Sequence, residues 1–155
     1  MHVFAPDLVA PAPLFPGEIR FHDLVGVPWR ANGTSPREGF DCATLSYVCQ
    51  ARCGIRLPLS ELWFCPDDED ERAAAFADYL EAEGHRWTHL GTRVHAATQL
   101  GDVILTQGEG EEGLHVATVV STAQHLALTT YRETGSMVIR SGLLPGVVQV
   151  MRWRG

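Results

Sequence analysis

The sequence predicts an α+β domain, with helices in its first half and an antiparallel sheet in its second. Three observations carry this. Leu45, Val48 and Cys49 repeat at helical spacing between Asp41 and about Cys53. The acidic run Asp67 to Glu71 leads into the Ala-rich stretch Ala73 to Glu83, the pattern of a second helix with an acidic first turn. After Trp87 the chain changes character, and short segments rich in Val, Leu and Thr are separated by Gly or polar turns.

Taken in order, the stretch 1–17 alternates proline with apolar residues and reads as an extended arm laid on the domain. From Phe15 to Trp29 short apolar pieces are broken by Pro and Gly, which predicts irregular packing with one short helix near Ile19 to Val25. The stretch NGTSPREG, Asn32 to Gly39, reads as a loop. Asp41 then suits an N-cap and Gly54 a C-terminal stop, which bounds the first helix. Leu57 to Phe64 is apolar but holds a proline, Pro66 opens the second helix and Gly84 ends it. The expected strands are Asp102 to Thr106, His115 to Val120, Leu126 to Tyr131, Met137 to Arg140 and Val147 to Trp153.

Composition bounds the function classes. A chain of 155 residues has room for one domain, expected to span 1–155, and 45% hydrophobic residues suffice for a packed core. Twelve Lys plus Arg against 19 Asp plus Glu leave a net charge of −7, which opposes binding to nucleic acid through long-range field. No apolar run approaches the roughly 20 residues of a membrane span, so membrane insertion is not expected. The N-terminus has no basic n-region ahead of its apolar residues, so synthesis in a reducing cytoplasm and free thiols at Cys42, Cys49, Cys53 and Cys65 are expected, with later release from the cell left open.

Among these thiols Cys42 stands apart. It follows a Gly-rich loop and a cap residue, which puts it in the first helical turn, where backbone N–H groups and the helix dipole stabilise a thiolate. Its competing reading is a small buried cysteine, the reading preferred for Cys49, Cys53 and Cys65. A thiolate needs a base, and of the histidines His115 opens the strand HVATVV directly after the polar loop GEGEEG, whose carboxylates favour a charged imidazole. His2 is terminal, His22 lies in the irregular segment, and His85, His89 and His95 lead out of the second helix as solvated surface residues. The spacing Cys-x6-Cys-x3-Cys-x11-Cys lacks the close pairs of structural zinc sites, so no metal or cofactor is expected.

The stretch VGVPWRANGTSPREGFDCATL resembles the nucleophile segment of the NlpC family of papain-like cell-wall cysteine peptidases, through Gly26, Gly33, Ser35, Pro36, Gly39, Phe40, Asp41, Cys42 and Leu45. Gly54, Ile55, Leu57 and Pro58 are similar to the family's G-I-x-L-P, Gly101, Asp102 and Val103 to its G-D-V strand start, and His115 and Val116 to its H-V. The resemblance implies a papain-like fold in which the nucleophile helix packs on the antiparallel sheet. It makes Cys42 the nucleophile, His115 the base, the Cys42 amide an oxyanion donor, and Trp29, Asp41 and Ala43 neighbours of the substrate. For the third catalytic position it points to Thr129, with Thr130, His125 or Gln124 as alternatives. Two departures stand out: Trp29 replaces the usual Tyr, and Ala43-Thr44 replace Ser-Gly.

The implied reaction is hydrolysis of an amide bond in a peptidoglycan stem peptide, first of all the D-glutamyl to diamino-acid bond. Trp87 ahead of the G-D element resembles the family's phage tail-associated versions, which would make other tail proteins the partners and the cell wall the site of action. An acidic domain is not drawn to a wall of anionic polymers by its own charge, so delivery by a partner is expected. The alternatives are a tail-assembly or interaction module with little catalysis, and a thiol acyltransferase or deamidase.

Overall fold

The computed structural model describes residues 16–55, 78, 87–92, 98–107 and 114–154. The arm over 1–15, the segment 56–66, the loop 108–113, and Cys65, His85 and His95 lie outside the described residues, as does the expected second helix except for Asp78, which is helical.

The elements in chain order are a 3-10 helix Pro16–Leu24, β1 (Thr34–Ser35), β2 (Gly39–Phe40), α1 (Cys42–Arg52), β3 (Trp87–His89), β4 (Val103–Gln107), β5 (Leu114–Ser121), β6 (Leu126–Tyr131), β7 (Gly135–Arg140), a 3-10 turn Ser141–Leu143 and β8 (Val147–Trp153). All five expected strands form, within one to two residues of their expected bounds. The short helix near Ile19 is a 3-10 helix that begins at Pro16, so the last two residues of the expected arm belong to it.

Two readings need correction. Asn32 to Gly39 is not only loop: β1 and β2 form a small antiparallel pair, Thr34 opposite Phe40 and Ser35 opposite Gly39. Its glycines explain why. A Cβ on Gly33 would collide with the Gly39 carbonyl, and one on Gly39, at φ +110°, would collide with the Pro28 carbonyl. The sheet also gains β3, which pairs with β8 through Trp87 opposite Trp153.

The main sheet has the order β3-β8-β4-β5-β6-β7, and every neighbouring pair is antiparallel. Side-chain alternation gives it two apolar faces. On one, Val103, Leu105, Val116 and Met151 gather with Cys42, Ala43 and Ile55, while Val120, Leu126, Leu128 and Val138 gather with Leu45, Cys49, Phe40 and Phe21. This is the face that α1 covers, and the buried hydroxyls of Ser46 and Thr118 bond across it at 2.8 Å. The other face carries Ile104, Ala117, Val119, Ala127, Tyr131 and Ile139. Strand β6, between β5 and β7, is buried along its whole length, which explains its continuous apolar and Thr pattern.

Polar side chains lock these pieces together. Ser136 on β7 accepts from the Val27 amide at 2.8 Å and donates to the Leu24 carbonyl at 2.5 Å, tying the N-terminal segment to the sheet. Arg52, in the last turn of α1, makes two 2.8 Å bonds to the Asp23 carboxylate, which holds the Asp23 carboxyl below its ordinary range. That tether is present above the ordinary Asp range and lost as pH falls through the lowered value, and both partners are solvent-exposed enough that it contributes little.

The G-D element is structural. Gly101 turns at φ +88° with the Ile55 side chain 3.1 Å from where a Cβ would stand, and its carbonyl accepts from Gln50 of α1 at 2.5 Å. Asp102 is buried; its carboxylate takes two bonds from Arg152 of β8, at 3.0 and 2.8 Å, and one from the Gln99 amide at 2.8 Å. Asp102→Ala removes a buried acceptor from that amide and from the Arg152 guanidinium, so urea unfolding should show a loss of about 2–3 kcal/mol.

Candidate active site

Cys42 sits where its helix is most strongly polarised. Asp41, the N-cap, accepts from the Thr44 amide at 2.9 Å, and the Thr44 hydroxyl accepts from the Asp41 amide at 3.0 Å, which completes a capping box. The second Asp41 oxygen accepts from the Asn32 amide at 2.7 Å. Asp41 is fully buried, and both its oxygens are engaged by backbone donors, so it fixes the β1–β2 loop and the start of α1 relative to each other. Because this cap uses the Thr44 N–H, it does not compete for the amide of Cys42 itself.

Cys42 is 1% exposed and Ala43 is 2% exposed, and both pack with Val116, the neighbour of His115 on β5. Alternation along β5 sends Val116 and Thr118 towards α1 and His115 with Ala117 to the other side. A thiol–imidazole contact therefore has to be made around the end of β5, where His115 is the second residue of the strand, and not through the sheet.

The His115 ring is held by β6. Its Nε2 lies 2.7 Å from the Thr129 hydroxyl, and that hydroxyl donates to the Val116 carbonyl at 2.7 Å. A hydroxyl has one proton. With that proton directed at Val116, Nε2 carries the ring hydrogen and donates it to Thr129, which leaves Nδ1 as the basic nitrogen of the neutral ring. The Tyr131 ring lies parallel to the imidazole, 4.7 Å between centroids and 6° between planes.

The alternatives for the third position are placed differently. Thr130 points to the α1 side of β6, and its buried hydroxyl has no hydrogen-bond partner. His125 is exposed in the turn between β5 and β6 at φ +54°, and Gln124 lies in the same turn, its amide donating to Ser121. His22 and His89 are exposed. Among the described residues no group of three His, Cys, Asp or Glu side chains is placed to hold a metal.

Trp29 is half-buried and bridges to Phe40, while the Arg132 guanidinium lies 4.5 Å over its ring. Neither Tyr131 nor Arg132 is singled out by a local motif. Tyr131 was nevertheless within reach of strand periodicity, because it shares a face with Thr129 two residues earlier.

The other thiols differ in electrostatics. Burial, with a contribution from the neighbouring Cys53, pushes the Cys49 thiol far above its ordinary range, and burial also raises Cys53. Burial therefore favours the protonated thiol at both positions.

The architecture matches known structures. An NlpC/P60 family protein from Bacillus cereus ATCC 10987 superposes with a TM-score of 0.54 at 18% identity, over 94% of this chain and 42% of that one. A protein from Staphylococcus aureus subsp. aureus Mu50, described as similar to lipoprotein of the NLP/P60 family, superposes with a TM-score of 0.56 at 17% identity, over 94% of this chain and 44% of that one. The chain has the NlpC/P60 papain-like fold. It spans less than half the length of these two proteins. No protein-family model and no curated protein sequence matches it. Within this fold Cys42 stands at a helix start and His115 and Thr129 on adjacent strands.

The thiol environments predict selective chemistry. Iodoacetamide at pH 7 should leave Cys49 and Cys53 unmodified until the protein is unfolded in guanidinium, while Cys42 is modified in the folded state; peptide mass spectrometry assigns each site.

Proposed function

We propose that this protein is a cysteine hydrolase that cleaves an amide bond in peptidoglycan stem peptides through an acyl-enzyme on Cys42. The observation that carries the reading is the His115–Thr129–Val116 chain of hydrogen bonds, because it presents Nδ1 as a base and holds the ring in one tautomer. In the proposed sequence the Cys42 proton passes to Nδ1, and sulfur forms a bond to the scissile carbonyl carbon. The Cys42 amide at the start of α1 stabilises the oxyanion. The imidazolium then protonates the amine as the C–N bond breaks, and water, deprotonated by the same ring, hydrolyses the thioester.

The preferred bond is that between D-glutamate and the diamino acid. Arg132, held over Trp29 one residue beyond the ring that stacks on His115, supplies a cation suited to the free α-carboxylate of such a D-glutamyl residue. Trp29 contributes a stacking surface, Ala43 a small wall, and Asp41 acts by holding the loop and helix start. The proposed setting is a phage or prophage tail that delivers the domain to the wall; the net charge of −7 supports delivery by a partner.

One observation favours a second reading, an interaction module with weak or no catalysis: Cys42 is 1% and His115 6% exposed. Turnover of defined stem peptides separates the two. For the hydrolase, Cys42→Ala should lower turnover at least about 10⁴-fold, Thr129→Val on the order of 10²-fold, and Thr129→Ser only slightly, since serine restores the acceptor. Unchanged cleavage by the Cys42→Ala protein, or no cleavage by the wild type, discards the hydrolase.

A further inference from the structure

We infer that Tyr131 is a positioning residue for His115, one whose ring face fixes the imidazole plane and favours its protonated form over the neutral one. The inference rests on the hydrolase reading of Cys42 and His115 and adds a residue to it. Three facts support it. The rings are parallel to within 6° at 4.7 Å between centroids, an arrangement that puts the negative face of the phenol ring against the imidazole. Tyr131 is 1% exposed and packed among Ile104, Ala117, Ala127 and Ile139, so its ring cannot swing away to solvent. Thr129, two residues earlier on the same face, takes Nε2–H, so β6 constrains both the edge and the plane of one imidazole.

A hydrogen bond to Nε2 alone leaves the ring able to rotate about that bond. The stacked phenol removes this freedom, and the direction of Nδ1 is then set. When His115 takes the Cys42 proton, the new positive charge forms on a largely buried ring, where a π face is worth more than at an exposed site. Among the described residues, the titratable and charged groups on the elements around the ring are Cys42 and Asp41 at the start of α1, the Tyr131 phenol on β6, and Arg132 just beyond it; β4 presents the neutral Thr106 opposite His115. The Arg132 guanidinium is held over the Trp29 ring, 4.5 Å from its centroid.

The test reads the thiol–imidazole pair without any substrate. The rate of Cys42 alkylation by iodoacetamide, in which sulfur bonds to carbon and iodide leaves, is measured from pH 4 to 9 with peptide mapping. In the wild type a thiolate–imidazolium pair gives a rate plateau that extends to the acid side of an ordinary thiol. Tyr131→Phe, which keeps the π face, should reproduce that plateau within about a factor of two. Replacing Tyr131 by pentafluorophenylalanine keeps the ring's shape but reverses the polarity of its face, so the acid limb should move up by about half a unit to one unit. Tyr131→Leu should move it in the same direction and lower the plateau. A residue that only fills space gives one profile for the phenyl and the pentafluorophenyl proteins, and that result overturns the inference even if the Leu variant fails to fold. A wild type with no acid-side plateau overturns both this inference and the catalytic pair, whereas a plateau indifferent to ring polarity overturns the inference alone. Stem-peptide turnover tests the hydrolase reading separately.

Discussion

The Asp41 carboxylate ties the start of α1 to the β1–β2 loop. One oxygen takes the Thr44 amide inside α1 and the other takes the Asn32 amide in the β1–β2 loop, both in a fully buried setting. Charge-assisted bonds of this kind contribute about 1.5–3 kcal/mol each, and the alternative for a buried carboxylate is to be left unpaired. The position of Cys42 follows from this, since it is the next residue. The tight β1–β2 pair lies beside it, where Gly33 and Gly39 let backbone approach backbone.

Other shared motif residues act on the scaffold in the same way. Gly101 and Asp102 hold no reacting group near Cys42, but they fasten the C-terminal end of α1 and join β4 to β8. Ser136 sews residues 24–27 to β7 through its hydroxyl and backbone. The helix is therefore fixed at both ends, by Asp41 at one and by Gln50 and Arg52 at the other, which makes the direction of its first turn a property of the whole domain.

The thiols show how position on one helix separates chemistry from packing. Cys42 and Cys49 are both buried on α1, yet Cys49 lies two turns in, in the cluster with Phe21, Leu24 and Phe40, where burial outweighs the attraction of Arg52 and raises its pKa. Cys42 has the helix N-terminus, and the histidine strand begins beside it. The His115 side is equally specific, because a threonine that donates to a backbone carbonyl can only accept from the ring. Thr129 thus sets the tautomer with a neutral hydroxyl, where a more basic partner would also stabilise the cation; the Tyr131 face fits that gap.

Much of this was legible in the sequence. The cap at Asp41, the helix over Cys42 to Arg52, the five Val-, Leu- and Thr-rich strands and the glycine-dependent turns are written in local patterns, because capping, periodicity and backbone sterics act over a few residues. The pairs β1–β2 and β3–β8 were not legible, since strands of two or three residues have no periodicity and exist only through their partners. The hydroxyl beside His115 is the sharpest case: the family resemblance pointed first to Thr129, with Thr130 as an alternative, and local pattern does not choose between them. A bulge in β5 between Val119 and Ser121 shifts its register on β6, so that beyond it Thr118 faces Leu128 and the continuation sets His115 against Tyr131 and brings Thr129 to its face. Counting straight back from the turn would have brought Thr130 there instead, because one residue of slip exchanges the two faces of a strand. The sequence alone determined where the thiol and the histidine stand along the chain. Only the tertiary structure, through that bulge, decided which hydroxyl holds the ring and which ring nitrogen keeps the proton.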